Sequence, residues 1–212
     1  MTPQFALAVD PVFQVMLDLL DQISQGVAVS PQNERYRIKA AIDRAEATLG
    51  GGTEWELSKY ALVSWIDEML LETPWSGRDW WSNNVLEVQY FNTRLCNERF
   101  YTKAQEASAQ PRRDALEVFY NCVILGFRGL YREANLASLL TANHGLPPDL
   151  LSWTKQNGMA IRLGEGRTPL PRPKRDIKGV APLGRPAIVI WLCAIVGVLL
   201  IVDIIYFLVP LR

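Results

Sequence analysis

The feature that most constrains this chain lies near its end. From Ala187 to Val209 it reads AIVIWLCAIVGVLLIVDIIYFLV, 23 residues with a single charge. As a helix this run would extend roughly 35 Å, enough to cross a hydrocarbon core of about 30 Å with some tilt. A core helix apolar on every side would be out of place in a chain of 212 residues, so the reading is one transmembrane helix over 187–209. Trp191 and Tyr206 stand near its two ends, where aromatic belts form. Arg172, Lys174, Arg175, Lys178 and Arg185 precede the run and only Arg212 follows it. The positive-inside rule then keeps the N-terminal body in the cytoplasm and leaves 210–212 as a short tail on the far side. The opening MTPQFALAVD has no basic region followed by a long apolar one, so it does not read as a signal peptide. A tail-anchored, single-pass protein is the expectation. Asp203 is the odd residue in the run, since a carboxylate at mid-bilayer costs about 2.5–3.5 kcal/mol. Three readings stand for it: an acid hydrated near the interface, a polar contact with a partner's transmembrane helix, or a protonated side chain.

Charge and composition narrow the function classes. Lys plus Arg and Asp plus Glu each number 22, but residues 1–170 hold 16 basic and 20 acidic groups, a net of −4. Domains that bind polyanions are basic, which argues against nucleic acid as a partner of the body. Cys96, Cys122 and Cys193 are scattered with no CxxC, which supports neither a disulfide framework nor a zinc site. One histidine, His144, leaves little room for metal or triad chemistry. No metal and no cofactor is expected, and an enzyme is disfavoured.

The body reads as all-α. Asp10–Pro11 looks like a cap with proline at the first helical position, and apolar residues follow at helical spacing up to Gly26. Ser30–Pro31 repeats the pattern, and the glycines at 50–52 stop that helix. Thr53 to Glu56 reads as a capping box opening a third helix that Pro74 ends. A fourth runs from Asp79 through Phe91. The apolar stretch 115–125 after Pro111 is too short to span a membrane and reads as the central helix of a bundle. Further helices are expected over 133–144 and 148–158. Residues 164–186, with five prolines and four glycines, read as an extended basic linker. The expected organisation is a body over 1–163, this linker, the span, and the tail.

Several residues are singled out. Asp67 shares a helix face with Val63, Leu70 and Leu71, so its carboxylate needs a partner; Arg99, Arg128 and Arg132 are candidates. Asp67 and Glu68 read as internal fasteners of helix packing, as partner-binding acids or, last, as a catalytic acid. Trp75, Trp80 and Trp81 cluster after Pro74 and read as core or as an interface anchor. Gly126 and Gly129, three apart, suit a close approach or a left-handed helix exit; with no preceding strand they are no phosphate loop.

Four stretches together carry a family resemblance: Tyr60 to Glu68 (YALVSWIDE), Pro74–Trp75 with Trp80, Asn97 to Tyr101 (NERFY), and Leu116 to Arg132 (LEVFYNCVILGFRGLYR). They resemble the TssL family, the DotU/IcmH-like proteins of bacterial secretion systems, whose pattern runs approximately YALxALIDE, PWG, GERFF and LELYYxCLxLGFEGRYR. Order and spacing agree over about residues 10–160, and the single C-terminal span agrees too. Ser76 replaces the glycine of PWG, Asn97 that of GERFF, and Arg128 reverses the charge of the glutamate in LGFEG. The resemblance implies an inner-membrane subunit of a type VI secretion system, with a hook-like cytoplasmic domain of two small helical bundles and a periplasmic C-terminus. It implies the TssM/IcmF-like protein, the baseplate of the contractile tail and, only through TssM, an outer-membrane lipoprotein as partners. A docking role would call on self-association and on Asp67, Glu68, Pro74, Trp75, Trp80, Trp81, Glu98, Arg99, Gly126, Arg128, Gly129 and Arg132. Some relatives carry a peptidoglycan-binding domain beyond the span, and this chain is expected to lack one. The alternatives are a DotU-like subunit of a type IVB system, a membrane-anchored enzyme of unknown reaction, and an unrelated tail-anchored adaptor.

Overall fold

The computed structural model describes residues 1–133, 141, 142, 144–164 and 185–208. Among them are helices and no strand. In chain order they are α1 (Pro3–Ser24), α2 (Pro31–Leu49), α3 (Thr53–Glu72), α4 (Arg78–Ser82), α5 (Leu86–Phe91), α6 (Cys96–Ser108), α7 (Asp114–Ile124), a 3-10 turn (Gly129–Tyr131), α8 (Leu150–Gly164) and α9 (Arg185–Leu208). The chain divides into two compact units, Met1–Gly166 and Arg167–Arg212. The helix expected over 133–144 falls mostly outside the described residues, as does the linker expected over 164–186, of which Arg185 and Pro186 belong to α9.

The centre of the first unit is α3, not the 115–125 stretch. Fourteen of the 20 residues of α3 are buried, including Trp65, Ala61 and Ile66 with no exposed surface. Helices α6 and α7 pack on it, and α1 and α2 pair with each other and touch it as well. A helix surrounded in this way shows no polar stripe, which is why periodicity does not mark it as central. Helix α7 is amphipathic, burying Leu116, Phe119, Cys122 and Val123 while leaving Ile124 exposed.

Aromatic rings fill the space between α6, α7 and α8. Phe100 stacks on Phe127 with centroids 3.8 Å apart and meets the edge of Phe119 at 4.8 Å. Tyr101 meets Tyr131 at 4.8 Å and Trp153 at 5.3 Å, and its hydroxyl donates to the Arg128 carbonyl at 2.7 Å. The aromatic pair of NERFY is therefore core, worth about 0.5–1.5 kcal/mol per ring pair beyond burial.

Three boundaries depart from the sequence expectation. Helix α1 starts at Pro3 and runs through Pro11. Proline removes the N–H that would bond the Leu7 carbonyl, but Leu7 is 78% exposed, so water replaces it. The capping box at Thr53 does not form: Gly52 is the cap, Thr53 the first helical residue, and Glu56 pairs with Lys59 at 2.8 Å. Glu54 instead reaches the start of α7 and accepts from the Ala115 N–H at 2.9 Å. The segment from Asp79 to Phe91 is two short helices. Asn83 and Asn84 donate their side-chain amides to the Asp79 and Trp80 carbonyls, which diverts the backbone from helix.

Among the described residues α1 is the one helix long and apolar enough to cross a membrane, and the apolar stretch described within α9, Trp191–Asp203, is shorter. Yet α1 buries Phe5, Val9, Val12, Met16 and Leu19 in the bundle core and carries Asp10, Asp18 and Asp21 along its length. It is a core helix. In the second unit, α9 is helical for 24 residues, and nearly all its described side chains from Trp191 to Asp203 are exposed.

Gly129 shows how tight the first unit is. Its φ is +50°, and a Cβ there would lie 2.8 Å from the Phe127 ring and 2.9 Å from the Asn97 carbonyl oxygen. Gly129→Ala should lower stability by about 1–3 kcal/mol, read as a shift of the urea midpoint of the detergent-solubilised chain followed by tryptophan fluorescence. An unchanged midpoint would show that the 127–131 loop is looser than this packing requires.

Candidate functional site

Successive helical residues point about 100° apart, so the adjacent acids Asp67 and Glu68 near the end of α3 face different neighbours. Asp67 is 1% exposed. One of its oxygens accepts the Trp81 indole N–H and the Leu86 N–H, each at 2.9 Å, and the other accepts the Glu87 N–H at 2.8 Å. Helix α5 has no cap of its own side chains; Asp67 supplies one from another helix. Burial, offset by those three donors and by the charge of Arg35, raises the Asp67 carboxyl to about 6.

Glu68 turns to the loop after α7. It accepts the Arg128 N–H at 2.7 Å and the Gly129 N–H at 3.0 Å, and pairs with the Arg132 guanidinium at 3.2 Å. Arg132 also bonds Glu72. Burial pushes the Glu68 carboxyl up, against these donors. Of the three arginines offered as partners for Asp67, none meets it. Arg132 serves Glu68, Arg128 gives Glu68 its backbone while its side chain reaches the Val123 and Phe127 carbonyls, and Arg99 is exposed. The charge reversal at Arg128 leaves its contact with Glu68 intact, because that contact is made by the main chain.

A third buried acid completes the set. Glu87, 2% exposed, accepts from the Tyr60 hydroxyl at 3.2 Å, the Thr93 hydroxyl at 2.7 Å and the Leu95 N–H at 2.9 Å. Burial, then the Glu87 charge, raises the Tyr60 phenol far above its usual range. Arg35 of α2 lies over the Trp81 indole at 5.7 Å and donates to the Asn84 carbonyl and the Gln89 amide oxygen. Trp75 and Trp80 lean on Trp81 with centroids 6.5 and 6.4 Å away, and Trp75 donates to the Leu70 carbonyl at 2.9 Å. Gly77 lies under the Trp75 ring, where a Cβ would collide with it.

These acids wall a cleft of about 200 Å³ lined by Asp67, Glu68, Leu71, Glu72, Val85, Glu87, Arg94, Cys96, Asn97 and Arg132. Burial and the Glu87 carboxylate push the Cys96 thiol far up, so it is a poor nucleophile. Among the described residues no group of three His, Cys, Asp or Glu side chains is placed to hold a metal ion. The cleft offers fixed charge and shape. Of the residues singled out from sequence, Asp67, Glu68 and Arg132 meet in it. Trp81, Gly129 and the Arg128 backbone brace it from behind. Gly126 ends α7 with φ +118° against Met69. Pro74, Glu98 and Arg99 are exposed outside its lining, and Asp203 is an exposed residue of α9. Sequence reasoning missed Glu87, Arg94, Cys96 and Arg35. The one signal for Glu87 was an acid set between Leu86 and Val88.

A family model described as type VI secretion system protein DotU matches residues 4–211. Among solved structures the chain is similar to the cytoplasmic domain of TssL from Acinetobacter baumannii, with a TM-score of 0.58 and 22% identity over 74% of this chain and 98% of that one. Comparison with curated proteins finds no match.

The raised Asp67 carboxyl makes a pH prediction. Its folded value, about 6, lies above the ordinary 3.8, so the folded state holds the extra proton and this group's contribution falls as pH rises from about 4 to about 6. Asp67→Asn should cost about 1–3 kcal/mol at pH 7 by leaving the Glu87 N–H without an acceptor. Wild type should gain a further ~1 kcal/mol over that variant between pH 7 and pH 5. Urea midpoints at the two pH values measure both, and a pH-independent difference would contradict the shift.

Proposed function

This chain belongs to the family of the type VI secretion system protein DotU, and from that premise we propose that it is a structural, non-catalytic subunit of a type VI secretion membrane complex. Its helical body docks the baseplate of the contractile tail against the membrane channel. The observation that carries this reading is a family match spanning both the body and the apolar run, at residues 4–211. The matched family's description favours type VI over the type IVB alternative.

The finer points form one picture. The run 187–209 anchors the protein in the inner membrane with its body in the cytoplasm and its C-terminus in the periplasm, supported by the basic flank and the helix Arg185–Leu208. Its membrane partner is a TssM/IcmF-like protein, through which an outer-membrane lipoprotein is reached, and the chain self-associates. The hook of two small bundles draws support from the packing: α1 pairs with α2, while α6 and α7 gather on α3, with α8 against α7.

A non-catalytic role is supported by what the acids do. Asp67, Glu68 and Glu87 accept bonds from main-chain N–H groups and so hold loops in place. Carboxylates committed in this way are poor acid–base groups but make a rigid wall. Partner contact falls to the exposed charges at the cleft and beside it, Arg94 in its lining and Glu98 and Arg99 next to it.

Affinity purification of the tagged full chain in mild detergent, with mass spectrometry of its companions, should recover an IcmF-like protein with baseplate and sheath subunits. Arg94→Glu combined with Glu98→Lys should leave stability within about 0.5 kcal/mol while cutting baseplate recovery and sparing the IcmF-like protein. Undiminished baseplate recovery would remove this surface from the docking site. A solitary chain in a host expressing those genes would overturn the reading.

A further inference from the structure

Helix α8 has two unlike faces. Trp153 and Ile161 are buried against the bundle. The other face shows Leu151, Met159 and Leu163 at 62%, 64% and 86% exposure, interleaved with exposed Lys155 and Arg162. No acidic residue occurs between Leu150 and Gly164. Beside it runs a shallow groove of about 330 Å³ between α7 and α8, where Tyr120 and the 59%-exposed Ile124 join Leu151 and Met159. Large apolar side chains exposed on a helix, with Lys155 and Arg162 as the charges among them, form the pattern of a helix that lies in a membrane interface. The apolar groups enter the headgroup region while Lys and Arg extend to the phosphates.

We propose that α8 is the membrane-facing side of the helical body and lies on an anionic lipid surface, a proposal that rests on the anchoring read above. Charge selects this occupant. Residues 1–148 carry 13 basic and 18 acidic groups; α8 itself holds Lys155 and Arg162 and no acid, with Asp149 and Glu165 at its flanks, and residues 167–185, which lead directly to the apolar run, carry six basic and one acidic. The basic excess is thus confined to the part of the chain nearest the anchor in sequence. A second copy is the poorer fit, because a two-fold contact sets a patch against itself and would bring Lys155 and Arg162 against their own equivalents.

The test uses the full chain, one copy per lipid nanodisc, with Cys96→Ser and Cys193→Ser removing the accessible thiols. A fluorophore is placed in turn at Leu151→Cys and Leu163→Cys, at the two ends of α8, and at Tyr36→Cys on exposed α2 as control. The readout is quenching by lipids carrying a nitroxide near the headgroup. Discs containing phosphatidylglycerol should quench both α8 probes and not the α2 probe, with the effect weaker in purely phosphatidylcholine discs. Lys155→Gln with Arg162→Gln should weaken docking by about fivefold per charge, about 25-fold together.

Quenching at Leu163→Cys alone would show a helix merely tethered at its end and would overturn the proposal, as would quenching no greater than at Tyr36→Cys. Shielding of the probes that appears only in discs holding two chains would assign the face to a second copy instead. A chain that does not stay with the discs would overturn the anchor itself, an outcome separate from failure of α8 in chains that do.

Discussion

Two carboxylates adjacent in sequence, buried near the end of α3 and turned to opposite neighbours, are the constraint on which the rest of the first unit depends. Burial of an ionised carboxylate is costly unless its oxygens are fully bonded. Asp67 and Glu68 meet that condition with main-chain N–H groups of segments that have no regular structure to satisfy them: the start of α5 for one, the loop at 128–129 for the other. The need is mutual. Loop donors obtain acceptors that no neighbouring strand or helix offers, and the carboxylates obtain main-chain donors, to which Arg132 adds a counter-charge at Glu68. An amide could not substitute, because half of its polar edge donates.

This arrangement accounts for the character of the cleft. Its walls are acids whose directions are already set by the loops they hold, so the surface offered to a partner is stiff. The aromatic cluster behind it, with Arg35 over Trp81 and Trp75 over Gly77, leaves little room for rearrangement. In the docking role proposed above, stiffness at this surface would serve the transmission of force better than reactivity.

Helices α1 and α9 show how composition and environment part company. Helix α1 passes a length-and-hydropathy test for a membrane span, yet it buries one side in the bundle and carries three aspartates along its length. Helix α9 presents its described apolar side chains outward. Hydropathy averaged over a window is blind to which face of a helix is apolar, and the face decides whether the helix joins a core or seeks lipid.

Much of the first unit was legible in sequence. Helical content, the bounds of α2 from Ser30–Pro31 to Gly50, and the end of α3 before Pro74 follow from local rules of capping and chain breaking, which act over a few residues. So did the identity of the important acids, since a carboxylate on an apolar helical face is conspicuous without any neighbour in view. What the acids bond was decided only by tertiary structure. Asp67 reaches 19 residues along the chain, Glu68 about 60, and Glu54 61. Most of the donors they meet are backbone N–H groups, which every residue but proline carries and which leave no mark in the sequence. For the same reason α3 rather than α7 is central and Thr53 is not a cap: both depend on which helices close around a segment, and that is settled by packing between parts of the chain that local pattern cannot connect.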